Sequence, residues 1–162
     1  KKVESVSGQL TTHVPEFVDE NGEKEVRTAD DAFQAFGNFV GGGTFNIGSN
    51  IAVRHADGWA LEVFGTEGTL KMSQDDKVLL GLGNSPLEEV EIESTLSIPE
   101  GMNAVAAGYY NAFYRSIDQL YKAVSEGYIH PHLPTIEAGQ KVQTMMDAIK
   151  KSHEEKRVIS IE

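Results

Sequence analysis

The feature that most constrains this chain is a change of hydrophobic period roughly two-thirds of the way along it. Up to about residue 100 apolar residues alternate with a period of two, which is how a half-buried strand reads; beyond that point they recur about every 3.6 residues, the spacing of an amphipathic helix. Strands first and helices last predict an α+β fold: an open, largely antiparallel sheet with helices packed on one face and the other face free.

The first strand is expected from Val3 to Val14, stopped by Pro15, with an exposed turn over Asp19, Glu20, Asn21, Gly22 and Glu23. A second strand spans Asp31 to Val40, and Gly41-Gly42-Gly43 supplies the positive φ angles of a tight reversal. In the third strand Phe45, Ile47, Ile51 and Val53 are expected on one face, with Thr44, Asn46, Asn50 and Arg54 on the other. That polar face reads equally as a solvated surface or as a subunit interface or ligand wall.

A hairpin follows, with Trp59, Leu61 and Val63 on one arm, Leu70 and Met72 on the other, and Gly65-Thr66-Glu67-Gly68 between them. Val78, Leu80 and Leu82 predict another strand. Val90, Ile92 and Leu96 predict a further one, with Glu89, Glu91 and Glu93 opposite as an edge-protecting or solvated ladder. From Asn103 to Glu126 the stripe Val105, Tyr109, Ala112, Phe113, Ile117, Leu120 and Val124 predicts a long helix ended by Gly127. Thr135 caps a second helix with Ile136, Gly139, Val142, Met146 and Ile149 expected inward, and Met145-Met146 as core filler. The tail Arg157 to Ile161 reads as a closing strand. No repeat, linker or low-complexity run divides the 162 residues, so a single domain over 1–162 is expected.

Composition narrows the partners. Twenty-five Asp and Glu against 14 Lys and Arg leave a formal net charge of −11, which repels phosphate backbones and anionic bilayers, so neither nucleic acid nor membrane is expected. The absence of cysteine excludes disulfides, thiolate metal sites and cysteine nucleophiles. Without an apolar run of about 18 residues or a signal-type pattern, the chain reads as soluble and cytoplasmic.

Gly81-Leu82-Gly83-Asn84 contains a G-x-G, but Pro86 and another strand follow where a dinucleotide fingerprint requires a helix. No P-loop or nucleophile-elbow pattern is present. Among the five histidines, His130 and His132 share a loop but lack a third ligand nearby in sequence, and His13 and His153 read as structural. His55 differs, because Arg54-His55-Ala56-Asp57-Gly58-Trp59 gathers an imidazole, a carboxylate and an indole at a strand start. That set suits hydrogen bonding and ring stacking on a polyhydroxylated ligand; it also reads as an ordinary polar turn.

Taken together, Ala29-Asp30-Asp31-Ala32, Val53-Arg54-His55-Ala56-Asp57, the block Leu61-Glu62-Val63-Phe64-Gly65-Thr66-Glu67-Gly68-Thr69-Leu70 and the end from Pro134 to Ile161 resemble the C-terminal domain of the glucose-fructose oxidoreductase / inositol dehydrogenase (Gfo/Idh/MocA) family. The similarity covers essentially the whole chain. It implies a two-part enzyme, with an N-terminal Rossmann domain for NAD or NADP and a C-terminal α+β domain. The open sheet of that domain is free for subunit pairing, and its edge lines the substrate cleft. The family's E-K-P and D-x-x-x-H motifs are not found in these residues, so the chain is expected to be truncated at its N-terminus, with no catalytic, cofactor-binding or metal residues of its own.

A substrate-binding role is carried over to His55, Asp57 and Trp59 alone. Ala138 stands between Glu137 and Gly139 where the family tends to show Asp-Gly, which limits that acidic position to helix capping. The expectation is therefore a substrate-facing, homo-oligomerising domain of an NAD(P)-dependent dehydrogenase acting on a sugar, polyol or related hydroxylated small molecule, inactive by itself. The alternatives are a stand-alone scaffold module of the same fold or, more weakly, a metal-dependent hydrolase using His13, His55, His130 and His132.

Overall fold

A computed structural model describes residues 1–74, 77–91 and 96–161. Among these the elements run β1 (Val3–Thr11), β2 (Glu16–Val18), β3 (Lys24–Val26), β4 (Ala32–Phe39), β5 (Thr44–Asn50), β6 (Ala60–Phe64), β7 (Gly68–Ser73), β8 (Val78–Leu82), β9 (Glu88–Glu89), α1 (Ala104–Glu126), α2 (Ile136–Glu155) and β10 (Ile159–Ser160). The strand pairings are antiparallel, and the fold is α+β. Two compact units emerge: residues 1–54 with 134–162, and residues 55–133. No helix among the described residues is long and apolar enough to cross a membrane.

The first unit holds a sheet in the order β10-β1-β4-β5 and the small β2-β3 hairpin. Its register aligns Val6 with Gly37, Gly8 with Ala35 and Leu10 with Phe33, then Gly37 with Phe45 and Ala35 with Ile47, so these residues share one face. That face receives α2. Val6, Ala35, Ala148, Ile149 and Ile159 form the buried core, with Leu10, Phe33, Phe45, Met145 and Ile161 packed around it. Gly8 permits the close approach, because a Cβ there would lie 2.6 Å from Ile149 Cγ2. Gly41, Gly42 and Gly43 all take positive φ in the β4–β5 reversal, as their sequence predicts.

Three boundaries differ from the sequence reading. β1 stops at Thr11 because the Asp31 carboxylate accepts the N–H groups of His13 and Val14, each at 2.8 Å, and draws them off the strand path. His13 therefore lies beyond the strand. β5 stops at Asn50, whose Oδ1 accepts the Ala52 N–H at 2.9 Å, so Ile51, Val53 and Arg54 fall past its end and Ile51 and Val53 are exposed. In α2 the buried face is Ala148, Ile149 and Ser152, whereas Ile136, Val142 and Met146 stay exposed. Of the predicted stripe only Ile149 is buried in the core, and of the methionine pair Met145 alone packs against it.

The second unit is a β6-β7-β8-β9 meander plus α1. Leu61 pairs with Met72, Val63 with Leu70 and Leu80 with Leu70, giving one apolar sheet face; Glu62 and Lys71 pair on the other, joined by an ion pair. The β6–β7 turn closes with Gly65 N–H on the Gly68 carbonyl at 2.8 Å, as predicted. β9 covers only Glu88–Glu89; Ile92 and Glu93 of the expected strand lie outside the described residues. α1 begins at an Asn103 cap, whose Oδ1 accepts the Ala106 N–H at 2.9 Å, and ends at Gly127 with φ 68°. It buries no residue of its own.

Candidate functional site

The His55–Trp59 segment opens the second unit and leads directly into β6. Two backbone positions there have left-handed φ: His55 at 62°, unusual for a residue with a Cβ, and Gly58 at 89°. Gly58 also accommodates a neighbour, since the Gln74 side chain occupies the space a Cβ would need. The chain is thereby bent so that His55, Asp57 and Trp59 are all exposed, the indole about half so. Among the described residues no hydrogen bond, ion pair or ring contact joins these three to one another. The segment presents an imidazole, a carboxylate and a ring face to solvent, groups capable of accepting and donating hydrogen bonds and of stacking.

A second candidate surface is the sheet face of the first unit opposite α2. The register places Ser5 beside Asn38, Ser7 beside Phe36 and Gln9 beside Gln34, then Phe36 beside Asn46 and Asn38 beside Thr44. Asn38 Nδ2 donates to Ser5 Oγ at 3.2 Å. The face is a lattice of amides and hydroxyls, each able to donate and accept, around one aromatic ring, Phe36, which is 63% exposed. Thr44, Asn46 and Asn50 take the expected side; Arg54 lies past the strand and does not. Phe36 was missed by sequence reasoning. Its signal was present in the alternation of β4, where Phe33, Ala35 and Gly37 occupy one parity and Gln34, Phe36 and Asn38 the other.

The remaining candidates resolve into structural parts. Gly81 lies within β8, which ends at Leu82, and Gly83, with φ 57°, sits in the turn closed by the Ser85 N–H on the Leu82 carbonyl at 3.0 Å, so no helix start follows the G-x-G. His130 and His132 have ring centroids 5.4 Å apart, and the His132 N–H donates to His130 Nδ1 at 3.2 Å. No group of three or more His, Cys, Asp or Glu among the described residues is placed to hold a metal ion.

Asp31 titrates below the ordinary carboxylate value, chiefly because the His13 N–H donates to it; Val14 N–H and the charges of His13 and Arg27 act the same way, and burial opposes them. Glu137 is likewise held low by its own backbone N–H and by the Thr135 hydroxyl, and Thr135 Oγ1 accepts the Ala138 N–H at 3.2 Å, which is a capping arrangement. His153, read as structural, presents Nδ1 as an acceptor to the Leu10 N–H at 3.2 Å.

Comparisons with known proteins identify the family and the fold. A family model described as "Oxidoreductase family, C-terminal alpha/beta domain" (GFO_IDH_MocA_C) matches residues 1–161. Comparison with curated protein sequences found no match. Among solved structures the fold is similar to that of levoglucosan dehydrogenase in complex with NADH and L-sorbose (TM-score 0.79, 19% identity), over 99% of this chain and 46% of that one. It is also similar to an oxidoreductase domain protein from Kribbella flavida (0.75, 22%; 99% and 44%). A third is the aldose-aldose oxidoreductase from Caulobacter crescentus complexed with glycerol (0.72, 17%; 99% and 42%). This chain thus spans less than half the length of the structures it matches.

Proposed function

Since the chain belongs to the Gfo/Idh/MocA oxidoreductase family, matching its C-terminal alpha/beta domain, we propose that it is the substrate-facing and oligomerising domain of an NAD(P)-dependent dehydrogenase acting on a sugar, polyol or related hydroxylated small molecule. The observation that carries this is the family match over residues 1–161, supported by a shared fold with proteins crystallised with NADH and L-sorbose or with glycerol. In this reading the whole of 1–162 acts as one domain beside an N-terminal nucleotide-binding domain in cis, in the cytoplasm. The open apolar faces of the second unit favour such a neighbour. The intact enzyme transfers a hydride from a hydroxyl-bearing carbon to the nicotinamide and releases the hydroxyl proton to a base outside this chain.

Within that enzyme His55, Asp57 and Trp59 line the substrate side, hydrogen-bonding and stacking on the ligand's hydroxyl-rich surface. The amide and hydroxyl face around Phe36 pairs with the same face of a second copy, a self-complementary arrangement suited to two-fold symmetry.

The decisive experiment measures the intact enzyme with Trp59→Ala and His55→Ala. Each is expected to raise KM for the hydroxylated substrate about tenfold, the loss of one contact worth about 1.4 kcal/mol, with cofactor Kd unchanged. Unchanged KM in both variants would remove the site assignment. Phe36→Asp is expected to lower the sedimenting mass, and an unaltered assembly would remove the interface. Micromolar NADH binding by residues 1–162 alone would overturn the division of labour itself.

A further inference from the structure

β1 is longer than the strand that closes its outer edge. β10 pairs with Ser5 and Val6 only, and the Ile161 N–H reaches back to the Glu4 carbonyl at 2.9 Å. In an antiparallel ladder the outward-directed groups recur every second residue, so the N–H groups of Gly8 and Leu10 point at the same edge with no strand beside them. The last turn of α2 stands in for that strand. Ser152 Oγ accepts the Gly8 N–H at 3.0 Å and donates to the Arg157 carbonyl at 2.7 Å; one residue on, His153 Nδ1 accepts the Leu10 N–H at 3.2 Å.

These two caps differ in kind. A hydroxyl accepts at any ordinary pH, whereas an imidazole nitrogen accepts only while it carries no proton, which places the neutral ring's proton on Nε2. We propose that His153 is a pH-sensitive clasp on the β1 edge: neutral, its Nδ1 holds the Leu10 N–H to α2; protonated, it sets N–H against N–H and the clasp opens while the Ser152 bond persists.

The surrounding charges leave this proton as the deciding one. β1 carries a single ionisable side chain, Glu4, at its far end, and β10 carries none. On α2, Lys150 pairs with Glu154 and Lys151 with Glu155, each at 4.0 Å, while Arg157 pairs with Glu155 at 2.5 Å; Lys156 forms the helix cap. Beyond β1 lies His13, whose backbone N–H is held by Asp31.

Amide hydrogen exchange on the intact protein, resolved to single residues by gas-phase fragmentation and corrected for intrinsic rates, tests this directly. Protection of the Leu10 amide relative to that of Gly8 is expected to fall about tenfold between about pH 8 and about pH 5, the loss of one hydrogen bond and the stranding of its donor. In His153→Asn, whose Oδ1 takes the place of Nδ1 and does not titrate, the ratio should stay constant. An unchanged ratio in the wild type, or the same fall in His153→Asn, overturns the proposal. Should the variant fail to fold, nitrogen chemical shifts of His153 decide: a neutral ring protonated on Nε2 supports the clasp, and one protonated on Nδ1 excludes it.

Discussion

In the unit built from residues 1–54 and 134–162, Val6, Ala32, Ala35, Ala148, Ile149 and Ile159 are buried, whereas in the unit of residues 55–133 every described hydrophobic side chain keeps at least partial exposure. Each unit pairs a four-stranded antiparallel sheet with one long amphipathic helix. What separates them is contact between the two. α2 is fastened to β1 by Ile149 against Gly8 and by Ser152 and His153 on the strand edge. α1 is held mainly by local means: the Asn103 cap, an Asp118–Lys122 pair at 2.8 Å, ring contacts Tyr109–Phe113 and Tyr110–Tyr114, and the Leu96 N–H on Asn111 Oδ1. An apolar stripe makes a helix able to bury a face; only a complementary surface makes it do so.

The comparison breaks most readily at Ile149. Ile149→Ala should cost about 3 kcal/mol of stability by urea denaturation, because it removes a buried side chain and leaves a void against β1. A cost below about 1 kcal/mol would mean that α2 is no better packed than α1. Gly8→Ala is expected to cost about 2 kcal/mol, since the new methyl meets Ile149 on a helix that cannot retreat without losing the Ser152 and His153 bonds. Asn103→Ala, in the other unit, should cost about 1 kcal/mol, seen as fraying of α1 in helical circular dichroism rather than as global unfolding. Val124→Ala, on the exposed part of α1, should stay within about 0.5 kcal/mol; a larger loss would reveal a packing partner for that face.

A pH experiment sharpens the same contrast. Asp31 titrates below its ordinary value of 3.8, so the stability it confers is fully present above that value and is lost as pH falls through the lower, folded-state pKa. Asp31→Asn should therefore be less stable than the parent at neutral pH, and the two should converge at strongly acidic pH. Parallel pH profiles would show that the carboxylate does not hold the His13–Val14 corner.

The legible part of the fold consists of features written in consecutive residues. Gly41-Gly42-Gly43 announces its reversal, Thr135 and Asn103 announce their helices, and Gly127 announces a helix end, because each acts on backbone within a few positions of itself. The correction at β5 is local, Asn50 capping Ala52 two residues on, but those at β1 and α2 involve a distant group. Asp31 ends β1 from 17 or 18 residues away, and Ser152 and His153 reach β1 across more than 140. The candidate site divides in the same way. His55, Asp57 and Trp59 stand out as a chemical set, yet their shared exposure depends on two positive φ angles and on Gln74 filling the space beside Gly58. Phe36 becomes conspicuous only when the register surrounds it with Ser7 and Asn46.

The order of residues determined, through its two hydrophobic periods and its caps, that strands precede helices, where most of them turn, and that the surface is acidic, since these are short-range or additive properties of the chain. Tertiary structure decided which half of α2 is buried, which sheet face is left open and which nitrogen of His153 receives a strand's N–H. Those outcomes depend on the free energy of surfaces meeting across long stretches of sequence, and no local pattern encodes that meeting.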